Sequence, residues 1–478
     1  MVGYRLCQPL ARCECQPGRD PIPPETQRML TIHAAVQRIK SEVAYWLNPK
    51  TICSLCESLE YRWRERTLGP VKTIHLFLLQ ILHGNTACGH VPRLGNVLCT
   101  GEAYCEARAR LPVELFHRLL RSVVETLRGV FLDDGRWHGH RTFLTDGSGI
   151  SMPDTKELRD FYGQPPEQAP GCGFPVMHVL AMFHAATGFL LEVATAPLRT
   201  HDMSQLWRIH PLLAAGDVLV GDRAFCSFAH LAVLAARNIF GVFRLHQKQI
   251  ANFRPHRRAA SKKSRKRRQR GLPSSRWLKR LGPNDQLVAY VKPKKAPVWM
   301  SAREYAALPA TLTVREVRYT INAPGRRTRR VTLVTTLLDP KKYPVADLAD
   351  LYGQRWQIET NLRHLKQTLR MDVLRCQSIP GVEKEVMMYA LVYNLVRLVM
   401  LEAARRQKVP VERISFVDAV RWLSSALDTI PPLELRVNPR RPGRFEPRAV
   451  KRRPKEYDRL NRPREVLRNR LLRQKKAA

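Results

Sequence analysis

Asp146, Asp222 and Glu359 are the carboxylates whose positions suggest chemistry. Asp146 follows the apolar stretch Thr142 to Thr145, Asp222 follows Asp217 to Gly221, and Glu359 lies in a helical pattern 137 residues beyond Asp222. Neighbouring strands bring their ends together whatever their separation along the chain, and a helix packed on the sheet can add a third group. Three clustered carboxylates repel one another unless cations neutralise them, and hard oxygen ligands suit Mg²⁺ or Mn²⁺. Two such ions, roughly 3.5 to 4 Å apart, would activate the attacking oxygen and stabilise the leaving oxygen of a phosphodiester. Taken singly, each acid is more often a helix cap or turn residue, and Asp146-Gly147 is a common turn dipeptide.

The surroundings of Glu359 strengthen the chemical reading. In the run Tyr352-Gly-Gln-Arg355-Trp-Gln-Ile-Glu359-Thr-Asn-Leu-Arg-His-Leu-Lys366, four polar residues fall at offsets 0, 3, 7 and 14. At about 100° per residue they occupy a stripe only about 60° wide. Leu351, Ile358, Leu362, Leu365 and Leu369 supply the apolar side. One face therefore offers a carboxylate flanked by a phenol, a guanidinium and an ammonium. Arg355 can grip phosphate through a bidentate fork, Lys366 acts as a point charge, and Tyr352 donates a hydrogen bond. An exposed face carrying ordinary ion pairs is the bland alternative.

The elements that must position these groups follow from patterning. Thr26 to Arg128 is helical, with Leu111, Leu115, Leu119 and Val123 recurring every four residues. Beyond Arg141 the pattern predicts a short strand ending at Asp146, a hairpin of Val176 to Phe183 and Phe189 to Thr195 around Gly188, then a helix over Asp202 to Leu213. Strand Asp217 to Gly221, helix Ser227 to Arg237 and strand Gly241 to Leu245 complete a β-β-β-α-β-α-β order. Such an order implies a mixed sheet with helices on its faces. Strands Leu287 to Val291, Arg315 to Ile321 and Arg330 to Leu338 make Gln247 to Asp339 a largely β insertion, and a long helical pattern runs from Val345 to Arg370. Helices continue to about Leu427. His256 to Arg270 holds nine Lys/Arg in fifteen residues, and Pro439 to Ala478 holds sixteen Lys/Arg against four Asp/Glu, which predicts a flexible basic extension.

Composition bounds the partners. The 478 residues are 44% hydrophobic, which excludes wholesale disorder, and the 81 Lys+Arg against 41 Asp+Glu give a net charge of +40, which favours polyanions. Eleven cysteines fit free thiols better than a disulfide framework. Cys13/Cys15, Cys53/Cys56 and the group His83, Cys88, His90 do not form the two spaced ligand pairs of a zinc site. No signal peptide is expected, and Val386 to Leu401, cut by Asn394 and Arg397, reads as a buried helix rather than a membrane span. A cytoplasmic, nucleoid-associated protein with no membrane partner is expected.

With these residues in view, the chain resembles the DDE transposases of the insertion-sequence-four family. That family's signature of Tyr, two residues, Arg, three residues, Glu, six residues, Lys is matched at Tyr352, Arg355, Glu359 and Lys366. Its second motif is matched at Asp222-Arg223-Ala224-Phe225, and its first at Asp146-Gly147-Ser148. The resemblance implies an α/β fold with a ribonuclease-H-like mixed sheet, flanking helices, a β-rich insertion, a helical N-terminal domain and a helical C-terminal region. The implied layout is a helical DNA-end-binding domain over 1–135, a catalytic core over 136–246 and 340–430, a β-rich basic insertion over 247–339, and a basic flexible tail over 431–478.

By the same resemblance, Asp146, Asp222 and Glu359 are the catalytic, metal-holding acids for two Mg²⁺ ions, with Mn²⁺ able to substitute. Tyr352, Arg355 and Lys366 would contact DNA phosphate, and Trp299, in the insertion, is a candidate for stacking a flipped base. The implied activity is metal-dependent cleavage and strand transfer of double-stranded DNA, at transposon ends and target, by a homodimer in the DNA-bound complex. A nuclease that hydrolyses without joining, and a catalytically dead DNA-binding regulator, are the competing readings; the full set of acids with their Tyr, Arg and Lys argues against the last.

Overall fold

The computed structural model describes residues 48–477 apart from 65, 132, 134, 166–168, 170, 256–270, 322–328, 425–433 and 440–461. The basic run His256 to Arg270 and the pair Cys13/Cys15 therefore lie outside the described residues. The described residues open with helices α1 (Pro49–Ser58), α2 (Pro70–Leu82), α3 (Val91–Gly95), α4 (Gly101–Arg110) and α5 (Val113–Phe131). Their starts have local causes. Asn48 accepts from the Lys50 N–H at 2.9 Å, Thr100 accepts from the Ala103 N–H at 3.1 Å, and Pro70 opens α2 where its missing N–H costs nothing. Leu115, Leu119, Val123 and Leu127 of α5 are all buried, as the four-residue spacing requires. Burial of such a side chain is worth about 1.5–3 kcal/mol, so this stripe rather than helix propensity fixes α5 in place.

The next elements are β1 (Thr142–Ser151), α6 (Lys156–Tyr162), β2 (Val176–His184), β3 (Leu190–Pro197), α7 (Leu206–Ile209), β4 (Val218–Gly221), α8 (Phe228–Ala236) and β5 (Phe240–Arg244). They are followed by β6 (Ser274–Gly282), β7 (Asp285–Val291), α9 (Ala302–Ala307), β8 (Thr311–Ile321) and β9 (Arg329–Thr335). Among the described residues nine strands form one sheet in the order β3-β2-β1-β4-β5-β9-β8-β7-β6. β4 is parallel to both β1 and β5, and every other neighbouring pair is antiparallel. β4 is short and buried at every residue, as a central parallel strand must be.

Three local expectations change. β1 does not end at Asp146, because Gly147, Ser148 and Gly149 continue the ladder opposite Leu180, Val179 and His178. Residues 202–213 are not one helix: a 3-10 turn (Asp202–Gln205), α7 and a second 3-10 turn (His210–Leu212) follow one another, with Pro211 unable to continue the backbone ladder. β6 was not foreseen, since Arg276, Lys279 and Arg280 break the apolar alternation; as the outermost strand it has only one strand neighbour, and charged side chains are tolerated there.

After the sheet come α10 (Val345–Gly353), α11 (Trp356–Arg363), a π-helical turn (His364–Thr368), α12 (Ile379–Arg406), α13 (Phe416–Ser424) and α14 (Arg464–Ala477). The helix α14 stands in the last part of the segment expected to be a flexible basic extension, of which residues 440–461 lie outside the described residues. Among the described residues α12 alone is long and apolar enough to cross a membrane, and it is almost wholly buried in protein. The two polar residues that interrupt its apolar run seat it on the β2–β3 hairpin. Asn394 pairs with both the N–H and the carbonyl of Leu190, at 2.9 and 2.8 Å, and Arg397 donates to the Thr187 carbonyl. Buried residues of α1, α2 and α5 belong to the same continuous hydrophobic cluster as the sheet and α12. A buried ion pair ties the outer strands to the segment before α10: Arg315 donates to Asp285 at 2.8 and 2.6 Å and to the Tyr343 carbonyl at 2.7 Å.

Candidate active site

The last pair in the parallel ladder of β1 and β4 is Thr145 opposite Gly221, so Asp146 and Asp222 are the next residues on two adjacent strands. Neighbouring strands lie about 4.8 Å apart, which sets the scale of their backbone separation. Each carboxylate is turned by a local hydrogen bond. Asp146 accepts from the Gly147 N–H at 2.9 Å, and Asp222 accepts from the Arg223 N–H at 2.5 Å as it caps the 3-10 turn Arg223–Phe225.

Glu359, on α11, joins this pair through Arg355. The guanidinium donates from Nη2 to Oε1 of Glu359 at 2.9 Å while Nη1 lies 3.5 Å from Oδ2 of Asp146. Its Nε is buried without a protein partner. The aromatic rings of Tyr352 and Trp356 lie 5.9 and 5.3 Å from the guanidinium carbon. Lys366 reaches the same strand from the π-helical turn, donating from Nζ to Ser148 Oγ at 3.1 Å and to the Gly149 carbonyl at 2.8 Å. Arg355 and Lys366 thus reach β1, and Tyr352 and Glu359 are gathered there through Arg355.

The helix that carries them is not regular. It breaks after α10, where Arg355 N–H bonds to the Tyr352 carbonyl and Ile358 N–H to the Arg355 carbonyl in three-residue steps, and it widens where Leu369 N–H bonds to the His364 carbonyl in a five-residue step. The tighter and wider turns replace the single straight helix expected over 345–370. The widening is packed in place by His364, whose ring stacks on Phe416 at 4.2 Å.

Burial dominates the electrostatics of the site. Burial pushes Asp146 up to about 6, with the nearby carboxylates Asp222 and Asp202 adding to the rise and the Gly147 N–H and Arg355 opposing it. Burial raises Tyr352 to about 12, so its hydroxyl stays a hydrogen-bond donor at neutral pH. Burial also lowers Lys366.

Two groups were not singled out by sequence. Asp202 and His178 form a pair, Oδ1 to Nε2 at 2.5 Å, and a Cβ on Gly147 would collide with both. The clue was Gly147 itself: a glycine inside a strand beside an acid marks close approach by something else. Trp356 is half exposed beside Arg355, whereas Trp299 sits in the turn between β7 and α9, partly buried against the hydrophobic core.

A divalent cation fits the chemistry of this donor set. Asp146 and Asp222 offer hard oxygens one residue beyond the last pair of two adjacent parallel strands. Glu359 is held by Arg355 instead, and among the described residues no three His, Cys, Asp or Glu side chains are arranged as a ready metal cage. The eight described cysteines are free thiols.

Two acids thus stand side by side, Asp146 within β1 and Asp222 just after β4, and Arg355 links the first of them to Glu359 on α11. The transposase DDE domain family matches residues 137–395, more than half of the chain, and the chain belongs to that family. It is similar to the transposase InsG for insertion sequence element IS4 of Escherichia coli (strain K12), 30% identical over 199 residues, covering 38% of this chain and 43% of the relative. It is also similar to the putative transposase InsZ of the same organism, 30% identical over 139 residues, covering 28% of this chain and 45% of the relative. The matches thus span less than half the length of these relatives. A cryo-EM structure of the piggyBac transposase synaptic complex with hairpin DNA aligns with a TM-score of 0.39 at 11% identity, over 84% of this chain and 79% of that one.

Proposed function

We propose that this chain is a transposase that binds the terminal inverted repeats of an insertion sequence and carries out metal-dependent strand cleavage and strand transfer in cut-and-paste transposition. The observation that carries the reading is the placement of Asp146 and Asp222 one residue beyond the last pair of adjacent parallel strands, with Arg355 linking Asp146 to Glu359. In this reading β1 to β5 form a ribonuclease-H-like core over 136–246 and 340–430, interrupted by the insertion 247–339. Residues 1–135 recognise the element's ends, and 431–478 add basic contacts.

Asp146, Asp222 and Glu359 would hold two divalent cations, Mg²⁺ with Mn²⁺ as substitute, which when bound activate the attacking oxygen and stabilise the leaving one. Arg355 grips a phosphate and thereby releases Glu359 from its ion pair. Lys366 uses two of its three donors to fix β1 beside Asp146 and keeps the third for phosphate. Tyr352 contributes a neutral hydroxyl donor. Trp299 and Trp356 are both candidates for base stacking, and the exposure of Trp356 beside Arg355 favours it. The active assembly would be a homodimer on two transposon ends.

The test is a cleavage and joining assay on DNA bearing the element's ends. Wild type should cut with Mg²⁺ and join the 3′-hydroxyl to a target, while Asp146→Asn, Asp222→Asn and Glu359→Gln should bind ends and lose cutting by at least a thousandfold. Cutting without joining would support the nuclease reading, and normal cutting by any of the three variants would remove that acid from the centre.

A further inference from the structure

Among the described residues, helix α14 is attached to the protein by its first turn and by little else. Arg464 donates to Asp154 Oδ2 at 3.2 Å and to the Cys172 carbonyl at 2.9 Å, and its guanidinium carbon lies 3.9 Å from the centre of the Phe174 ring. Asp154 is mostly buried and also accepts from Arg159 at 2.8 Å. Pro463 packs so closely on Gly171 that a Cβ there would have no room. From Arg468 to Lys475 every residue is exposed. Arg468, Arg470, Arg473 and Lys475 lie in this projecting part, with no acidic partner among the described residues.

A helix of this kind lacks the usual source of helical stability. Fourteen residues are marginal for an isolated helix in water, and like charges three or four apart repel. The exposed part buries no apolar face. A polyanion laid against it would remove the repulsion and supply the missing contact.

Its position suggests which polyanion. Asp154 lies three residues beyond the end of β1, and Asp146 lies five residues before that end. At no more than about 3.4 Å per residue the pin is within about 27 Å of Asp146, less than the roughly 34 Å of one duplex turn. Lys366, on Ser148 and Gly149, marks an intermediate point on the same strand.

We propose that α14 is a pinned basic arm that binds the phosphate backbone of duplex DNA within about two helical turns of the acids, its cations acting without sequence preference. The proposal rests on the transposase reading for its choice of DNA as partner. Arg464 acts as a positioning residue that aims the arm, and Arg468, Arg470, Arg473 and Lys475 make the contacts.

The experiment uses the full chain and a 30-base-pair duplex without divalent metal, with affinity measured across a range of salt. Replacing Arg468, Arg470, Arg473 and Lys475 together by Ala, all on the solvent side, should lower affinity at least tenfold. It should also make the slope of log affinity against log salt shallower by about 2 to 4, since each phosphate contact contributes about 0.9. Arg464→Gln, which keeps those four cations but frees the arm, should weaken binding at least threefold. Unchanged affinity and slope in the four-residue variant would overturn the arm, and wild-type affinity in Arg464→Gln would overturn the pin. Tighter binding of the wild type to phosphatidylserine vesicles than to the duplex would also overturn the proposal, in favour of a lipid surface. Failure of the catalytic reading shows separately, as cleavage that survives Asp146→Asn.

Discussion

Arg355 donates to Glu359 at 2.9 Å, so the carboxylate expected to serve a metal is engaged by a cation of the same chain. The pair is partly exposed, and such pairs are worth about 0.5–1 kcal/mol. Arg355→Ala is therefore expected to raise Mn²⁺ affinity about two- to fivefold in titration calorimetry while weakening DNA binding and flattening its salt dependence. Unaltered Mn²⁺ affinity would mean that Glu359 is not restrained by this contact.

The buried Asp146 carboxyl gives a stability signature. Its folded-state value of about 6 lies above the ordinary 3.8, so the native state holds the proton more tightly than the unfolded chain does. The stabilisation is complete below about pH 4 and is lost as pH rises through 6, an effect of about 1–3 kcal/mol. Asp146→Asn should accordingly melt several degrees above wild type at pH 7.5 and converge with it near pH 4. Saturating Mg²⁺ should narrow the gap at pH 7.5 by stabilising only the wild type. Identical melting curves at both pH values would contradict this account.

Gly147 carries a sharper prediction. A methyl group there meets the Asp202 carboxylate and the His178 ring, so Gly147→Ala must displace that pair or bend β1 beside Asp146. Overpacking of this kind costs about 1–3 kcal/mol. Cleavage should fall at least tenfold with the fold retained by circular dichroism, whereas Gly139→Ala, whose Cβ would meet nothing, should show backbone strain at its positive φ but leave cleavage intact. Equal activity of Gly147→Ala and wild type would show that the close approach is dispensable.

The Arg315–Asp285 pair is expected to be structural. Both side chains are almost wholly buried, and removing one partner leaves the other charge unpaired. Arg315→Ala should lose about 3–5 kcal/mol in denaturant unfolding. A loss below 1 kcal/mol would place the anchorage of the outer strands elsewhere.

Much of this architecture was legible before any coordinates. The apolar stretches at 176–183, 189–195, 217–221 and 241–245 announced strands because burial on both sheet faces leaves little choice of residue, and all four fall on β2 to β5. Asp146 and Asp222 drew attention because carboxylates directly after apolar strand stretches are conspicuous, and Glu359 because Tyr352, Arg355 and Lys366 share its helix face. What escaped depends on tertiary context. Gly147-Ser148-Gly149 carries turn-forming residues, yet β2 supplies a ladder partner for each. The irregular turns around Arg355 and His364 leave little periodic mark, since a 3-10 turn advances about 120° per residue against about 100° in an α-helix, a drift of about 20° per residue that a stripe about 60° wide absorbs. Asp202 and His178 are 24 residues apart and meet only through the β2–β3 hairpin and the turn that follows. The ordering of α14 depends on Asp154 and Phe174, which lie some 300 residues away in the chain.

The pairing of β5 with β9 bears on how such a chain can change over evolutionary time. Because the outer strands continue the same hydrogen-bonded ladder as the inner ones, they are not a cassette that could be lifted out cleanly. Excision would expose an edge of β5 to pairing with any passing strand. Lineages remodelling this region are thereby steered toward lengthening its loops or altering side chains on the far strands, and away from wholesale replacement.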